Sequence, residues 1–174
     1  MSTTLLYALV MAVAQIVVSL ISFFLGYQSD KISSGGWFAF VQVAVTIAIL
    51  IFGIIAVRDE REGNYLSYGK CVGTGFLIVL YSTVIVAIYT YIYLIYINPS
   101  FPDFFVGASR AKWIADGMTE TKMETAEKGV RWLTKPPIWT AIGTAYNIVI
   151  GTVLSLIISA FLKRNPPEDG RISA

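Results

Sequence analysis

The sequence predicts an all-α integral membrane protein, with four transmembrane helices and two short external helices between the third and the fourth. Three observations predict this. Of the 174 residues 56% are hydrophobic and only 14% charged, at a mean hydropathy of +0.68, where a soluble domain has about a quarter of its residues charged. The apolar residues stand in four long blocks rather than in short amphipathic runs. Between the third and fourth blocks lie about forty residues rich in capping and turn signals, too many for a bare loop in a compact protein. The chain, 1–174, reads as a single membrane domain.

The four blocks run from about Thr4 to Gly26, Trp37 to Val57, Lys70 to Ile97 and Ile138 to Leu162. Each holds the roughly 20 apolar residues that a helix needs to cross ~30 Å of hydrocarbon. None carries Asp, Glu, Lys or Arg in its interior, so each inserts without burying a charge. The first block lacks a basic leader and a small-x-small cleavage pattern, so it is expected to stay as a helix. Tyr27 to Gly36, short and rich in Gly and Ser, makes an antiparallel hairpin of the first two helices. Arg58 to Gly69 is also short, with Arg58, Asp59, Glu60, Arg61 and Glu62 in one run before a Gly63-Asn64 turn signal.

The long connection, Asn98 to Pro137, reads as two helices. Ser100-Phe101-Pro102-Asp103 offers a capping serine, an early proline and an acid three residues on, so a helix is expected from there to about Asp116-Gly117. Thr119, or Thr121 with Glu124 three later, can cap a second helix that runs to about Leu133 and is stopped by Lys135-Pro136-Pro137. Met123, Ala126, Val130 and Leu133 recur at helical spacing. That face, and the aromatic Phe101, Phe104, Phe105 and Trp113, suit either a membrane surface or a neighbouring chain, or the segment is a lid on the protein's own helix ends.

Four crossings put both termini and the second connection on one side. That side has Arg58, Arg61, Lys70, Lys163 and Arg164 close to the membrane and Arg171 further out, against Lys31, Arg131 and Lys135 on the other. The positive-inside rule therefore predicts cytoplasmic termini and a long connection outside. Cys71 would then lie near the cytoplasmic face, where thiols stay reduced.

Helices associate in lipid through small residues and interhelical hydrogen bonds. In the fourth block Gly143, Asn147, Gly151, Ser155 and Ser159 recur every four residues, which is one continuous face. Ala8, Met11, Gln15, Ser19, Ser22 and Gly26 mark such a path in the first, and Ala39, Gln42, Thr46 and Gly53 in the second. If the first and fourth helices are neighbours, Gln15 and Asn147 meet at mid-membrane with Thr46 and Ser82 or Thr83 near the same depth. These residues are either packing glue or the lining of a pocket formed by Gln15, Gln42, Thr46, Ser82 and Asn147. In the third helix Tyr89, Tyr93 and Tyr96 share a face at the outer end, with Tyr91 away from it. They form an aromatic belt, or a contact surface for a lipid, quinone or pigment ring together with Phe104, Phe105 and Trp113.

The composition excludes much chemistry. With no histidine and one cysteine, His- or Cys-based metal sites, haem ligation, a Ser-His-Asp triad and an intrachain disulfide are out of reach. Thirteen basic against eleven acidic residues form no basic face for nucleic acid. No buried ionisable group is available for a proton- or cation-coupled carrier. No catalytic residue, cofactor or metal is therefore expected.

The entry Tyr68-Gly69-Lys70 followed by Gly73-x-Gly75, the exit Tyr93-x-x-Tyr96-Ile97-Asn98-Pro99, and the ending from Gly151-x-x-x-Ser155 through Leu156-Ile157-Ile158-Ser159-Ala160-Phe161-Leu162-Lys163 resemble a family of small bacterial membrane proteins classed as a domain of unknown function. The resemblance spans nearly the whole chain. It implies a bacterial cytoplasmic-membrane location and the same four-helix topology, and it brings no activity.

The expected function is a non-catalytic accessory or scaffold subunit of a larger inner-membrane complex, whose partners are membrane lipid and other membrane subunits or a second copy. The alternative is a small transporter or channel for a neutral or amphipathic solute. A lipid-modifying enzyme would need Asp103, Asp116 or Glu120 as an external acid or base, and ranks last.

Overall fold

The computed structural model describes residues 2–60 and 64–165. Arg61, Glu62 and Gly63 of the second connection, and Arg171, lie outside them. Six α-helices form among the described residues: α1 (Thr3–Phe24), α2 (Trp37–Asp59), α3 (Tyr68–Ile92), α4 (Phe101–Ala115), α5 (Glu120–Leu133) and α6 (Pro136–Leu162). A π-helical turn, Tyr93–Ile97, continues α3. Four spans, α1, α2, α3 with its π turn, and α6, are long and apolar enough to cross a membrane.

The helix ends follow local chemistry. α1 stops two residues before its expected end because Gly26, at φ +82°, takes the left-handed position of a Schellman cap. There Gly26 N–H donates to the Phe23 carbonyl and Tyr27 N–H to that of Ser22, each at 2.9 Å. Gly117, at φ +72°, ends α4 in the same way. The expected Ser100 side-chain cap is not made; its backbone carbonyl accepts from Asp103 and Phe104 instead. Thr119, not Thr121, occupies the start of α5, also without a side-chain bond. Pro136 and Pro137 open α6 two residues earlier than expected, since a first helical turn needs no N–H from proline.

The long helices form a ring in the order α1, α2, α6, α3, with α3 and α6 packed most extensively. α1 and α6 are diagonal. Close approach at one end depends on glycine: a Cβ on Gly151 would sit 2.5 Å from Val79, one on Gly53 2.7 Å from Ile78, and one on Gly75 would strike the Ser155 hydroxyl. At that end Leu66 and Arg164 exchange two backbone hydrogen bonds of 2.9 Å, and Thr3 donates to Glu60. We call this the clasped end. At the opposite end, α4 and α5 form a hairpin whose first turn packs on the bundle. The apolar core is split accordingly. Ala8, Met11, Leu50, Ile54, Cys71, Ile78, Val79 and Ile158 make the larger cluster towards the clasped end. Tyr93, Leu94 and Phe101, with Phe23, Phe105 and Trp139 against them, make the smaller one at the hairpin end.

Candidate functional site

Between the two clusters the helices separate around a cavity of about 280 Å³ lined by all four long helices, large enough to hold several waters. It lies in the half of the bundle nearer the hairpin. Gln15, Gln42, Thr46, Ser82, Gly143, Asn147 and Gly151 all line it, so the residues singled out in sequence converge in space. Ser155 lies deeper, where it is fully buried and donates to the Val72 carbonyl at 3.2 Å. The polar stripe of α6 thus does two jobs. Gly151, Ser155 and Ser159 are packed and buried, whereas Gly143 and Asn147 border empty space, and a Cβ on Gly143 would meet nothing within 4 Å.

The walls differ in how their polar groups are satisfied. On the α1–α2 wall the Gln15 amide donates to Thr46 Oγ1 at 3.1 Å, Thr46 donates to the Gln42 carbonyl at 2.9 Å, and the Gln42 amide donates to the Gln15 carbonyl at 3.1 Å. This chain of bonds holds α1 to α2 and leaves Gln42 Oε1 without a donor. On the α3–α6 wall Ser82 donates to the Val79 carbonyl at 2.9 Å and lies 3.3 Å from Met11 Sδ. Thr83, Thr90 and Asn147 make no side-chain hydrogen bond to any described residue. The expected meeting of Gln15 with Asn147 does not occur, because α1 and α6 face each other diagonally across the void.

Among the described residues no charged side chain lines the cavity. A smaller void of about 150 Å³ adjoins it between α3 and α6, sharing Thr83, Thr90 and Asn147 and adding Trp139 and Thr140, whose hydroxyl has no partner. Such a site can hydrogen-bond an uncharged ligand through hydroxyls and amides that both donate and accept. An ion would lose its hydration there without a countercharge.

The aromatic residues divide rather than forming the single contact surface expected. Tyr89 lines the cavity and donates to Ser19 Oγ at 3.4 Å. Tyr93 is only 3% exposed; it packs edge-on against Phe23 and accepts from Asn98 Nδ2 at 3.0 Å. Tyr96 is 78% exposed because the π turn rotates it off the Tyr89–Tyr93 face. Phe105 is occupied by Trp139 and Phe101. Phe104 and Trp113 are half-buried, Phe104 beside the turn at Ile32.

The hairpin is tied by ions. Arg110 pairs with Glu120 and Glu127, and Arg131 reaches Asp103 at 2.8 Å and Glu127 at 2.9 Å. Hydrogen bonds to Asp103 and then Glu127 raise the Arg131 guanidinium further above its ordinary range. Asp103 and Glu120 are therefore held in ion pairs, and Asp116 sits at the far end of α4. The three acids do not converge.

Residues 6–164 match the family described as protein of unknown function, DUF4199. The chain belongs to this family. No curated protein and no solved structure matches it. Within this DUF4199 chain the sequence reading passed over Thr90 and Tyr146 as site residues. Thr83, Val86 and Thr90 lie at helical spacing on one face of α3, the signal that would have found Thr90. Tyr146 carries the same signal, since Gly143, Tyr146, Asn147 and Ile150 lie at helical spacing on one face of α6.

Proposed function

We infer that this protein is a non-catalytic, multi-pass protein of the bacterial cytoplasmic membrane that takes up a neutral amphipathic solute between its helices. The observation carrying this reading is the uncharged cavity, on whose α3–α6 wall Asn147, Thr83 and Thr90 make no side-chain hydrogen bond to a described residue, and on whose α2 wall Gln42 Oε1 is buried without a donor among them. Unpaired polar groups facing a cavity are costly in a dry interior and are satisfied by water or by a ligand.

The orientation proposed has both termini cytoplasmic and the hairpin outside. Arg58, Lys70, Lys163 and Arg164 at the clasped end support it under the positive-inside rule. The ion pairs of Arg110 and Arg131 support a place for the hairpin outside the hydrocarbon.

The test is thermal unfolding in dodecyl maltoside with 1-monooctanoylglycerol as a neutral probe and octanoate as its anionic counterpart. At a probe concentration 100-fold above Kd the neutral ligand stabilises by about 2.7 kcal/mol, a rise of roughly 5–11 °C for a chain of this size. Asn147→Leu should abolish that rise. Equal shifts from octanoate, or an undiminished shift in the variant, would refute the reading.

A second reading, an accessory subunit of a larger inner-membrane complex, is favoured by apolar side chains left open on the hairpin: Ile114 at 60%, Trp132 at 56% and Leu133 at 41% exposure. Its test is the mass and composition of the assembly extracted in mild detergent. A stoichiometric foreign subunit supports it, and a lone chain or homo-oligomer overturns it.

A further inference from the structure

We propose that the cavity is a head-group site for an uncharged bilayer-dissolved amphiphile, which enters sideways between α2 and α6 and leaves its chain in the lipid. This rests on the solute-binding reading above and names the source and the binding pose of the ligand.

The side on which the void opens can be read from its lining. Of the eighteen lining residues only Ala39, on α2, and Tyr146, on α6, are exposed. All the rest are buried or half-buried. The mouth therefore lies between these two helices, and Phe40 on α2 and Val149 on α6, at 77% and 60% exposure, show that the surface beside it is apolar. A window flanked by such side chains along two membrane-spanning helices faces hydrocarbon, not water.

On the α3–α6 side, the hairpin end is covered. Phe101 and Phe105 of α4 pack against Trp139, tilted and edge-on, at 5.2 and 5.4 Å between ring centroids. Tyr93 and Leu94 are almost fully buried beneath them. The clasped end is sealed by the larger core cluster.

Size fixes the pose. A volume of about 280 Å³ is too small for a whole membrane lipid and suits a polar head of a few hydrogen-bonding atoms. The polar groups sit inside, at Asn147, Thr83 and Thr90, while the mouth is framed by an alanine methyl and a tyrosine ring. A ligand with a hydroxyl or amide head and an aliphatic chain matches both surfaces. A free fatty acid or phospholipid head does not, because no Lys or Arg is present to meet its charge.

The experiment uses the full chain in phosphatidylcholine nanodiscs with a monoacylglycerol carrying a diazirine at the first carbons of its acyl chain. Photolabelled positions are mapped by peptide mass spectrometry. Labelling should concentrate on Ala39, Val43, Tyr146 and Ile150, be displaced by unlabelled monoacylglycerol, and resist displacement by the matching fatty acid. Gly143→Leu, whose Cβ meets nothing within 4 Å and whose side chain starts in the void, should cut this labelling at least fivefold without lowering the melting temperature. Labelling spread evenly over exposed positions such as Val13 and Val17, or unchanged in the Gly143 variant, overturns sideways entry. If the neutral probe still raises the melting temperature in that case, solute binding survives and entry from the bilayer alone is refuted. If neither labelling nor the thermal rise occurs, both readings fall.

Discussion

Adding one methyl group at two glycines of the same α6 face separates cavity from packing. Gly143 and Gly151 lie eight residues apart, a little over two turns. A Cβ at Gly143 meets nothing within 4 Å, while one at Gly151 lies 2.5 and 2.7 Å from the two Val79 methyls and 3.2 Å from Val79 Cβ. The methyls can turn away by rotamer change, but Val79 Cβ moves only with its backbone. Overpacking of this kind costs about 1–3 kcal/mol. Both substitutions recover at most about 1 kcal/mol of helix propensity. Gly143→Ala should therefore be neutral or up to about 1 kcal/mol stabilising, and Gly151→Ala neutral to about 3 kcal/mol destabilising, with the propensity gain common to both. The gap of about 1–3 kcal/mol corresponds to roughly 2–12 °C in melting temperature for a chain of 174 residues. Tryptophan fluorescence melts in detergent resolve it. If Gly143→Ala melts at or below Gly151→Ala, there is no void beside Gly143 and the site does not exist as described.

Three further outcomes are expected. Tyr93→Phe removes a buried acceptor of the Asn98 amide, which keeps its 2.9 Å bond to the Gln28 carbonyl; the loss should be about 1 kcal/mol, or 2–4 °C on the same melts, and no shift would show the bond to be idle. Arg131→Ala breaks the pairs to Asp103 and Glu127; since these are exposed and screened, the bundle should melt unchanged while trypsin cuts faster after Lys112 or Lys122, and equal cutting rates would contradict a tied hairpin. Alkaline phosphatase fused after Gly117 should be active and after Lys163 inactive, because the enzyme folds only outside an oxidation-poor cytoplasm; the reverse pattern would invert the proposed topology.

The four long helices were legible because hydrocarbon selects on composition, and runs free of charge such as Trp37 to Val57 have no soluble counterpart. Their ends moved by a few residues wherever one residue had two roles. Pro136 and Pro137 are helix breakers in a helix interior and good openers of a first turn, and sequence alone favoured the first role. Gln15, Gln42 and Asn147, which the polar stripes singled out, line the cavity. What they could not give was ring order. The same stripe of α6 packs at Gly151 and Ser155 and borders space at Asn147, and which happens depends on the splay between helices far apart in sequence. The surface role expected of Tyr93 failed for a related reason. A membrane-edge tyrosine counts as belt until a tertiary partner, here Asn98 and Phe23, claims it.

The division of the apolar core on either side of the cavity has a kinetic meaning. A continuous core opens as one cooperative unit, whereas clusters separated by a void can open at different free energies. The Tyr93, Leu94 and Phe101 cluster is small and leans on a hairpin that is itself held mainly by exposed ion pairs. The Ala8 to Ile158 cluster is larger and carries the Leu66–Arg164 clasp. Amide protons of α3 and α6 should accordingly exchange with deuterium in two classes, fast on the hairpin side of Thr83 and Asn147 and slow beyond Val79 and Gly151. The bundle can thus loosen around an incoming molecule at one end while the other stays folded, so that admitting a guest and keeping the fold become separate events in the same four helices.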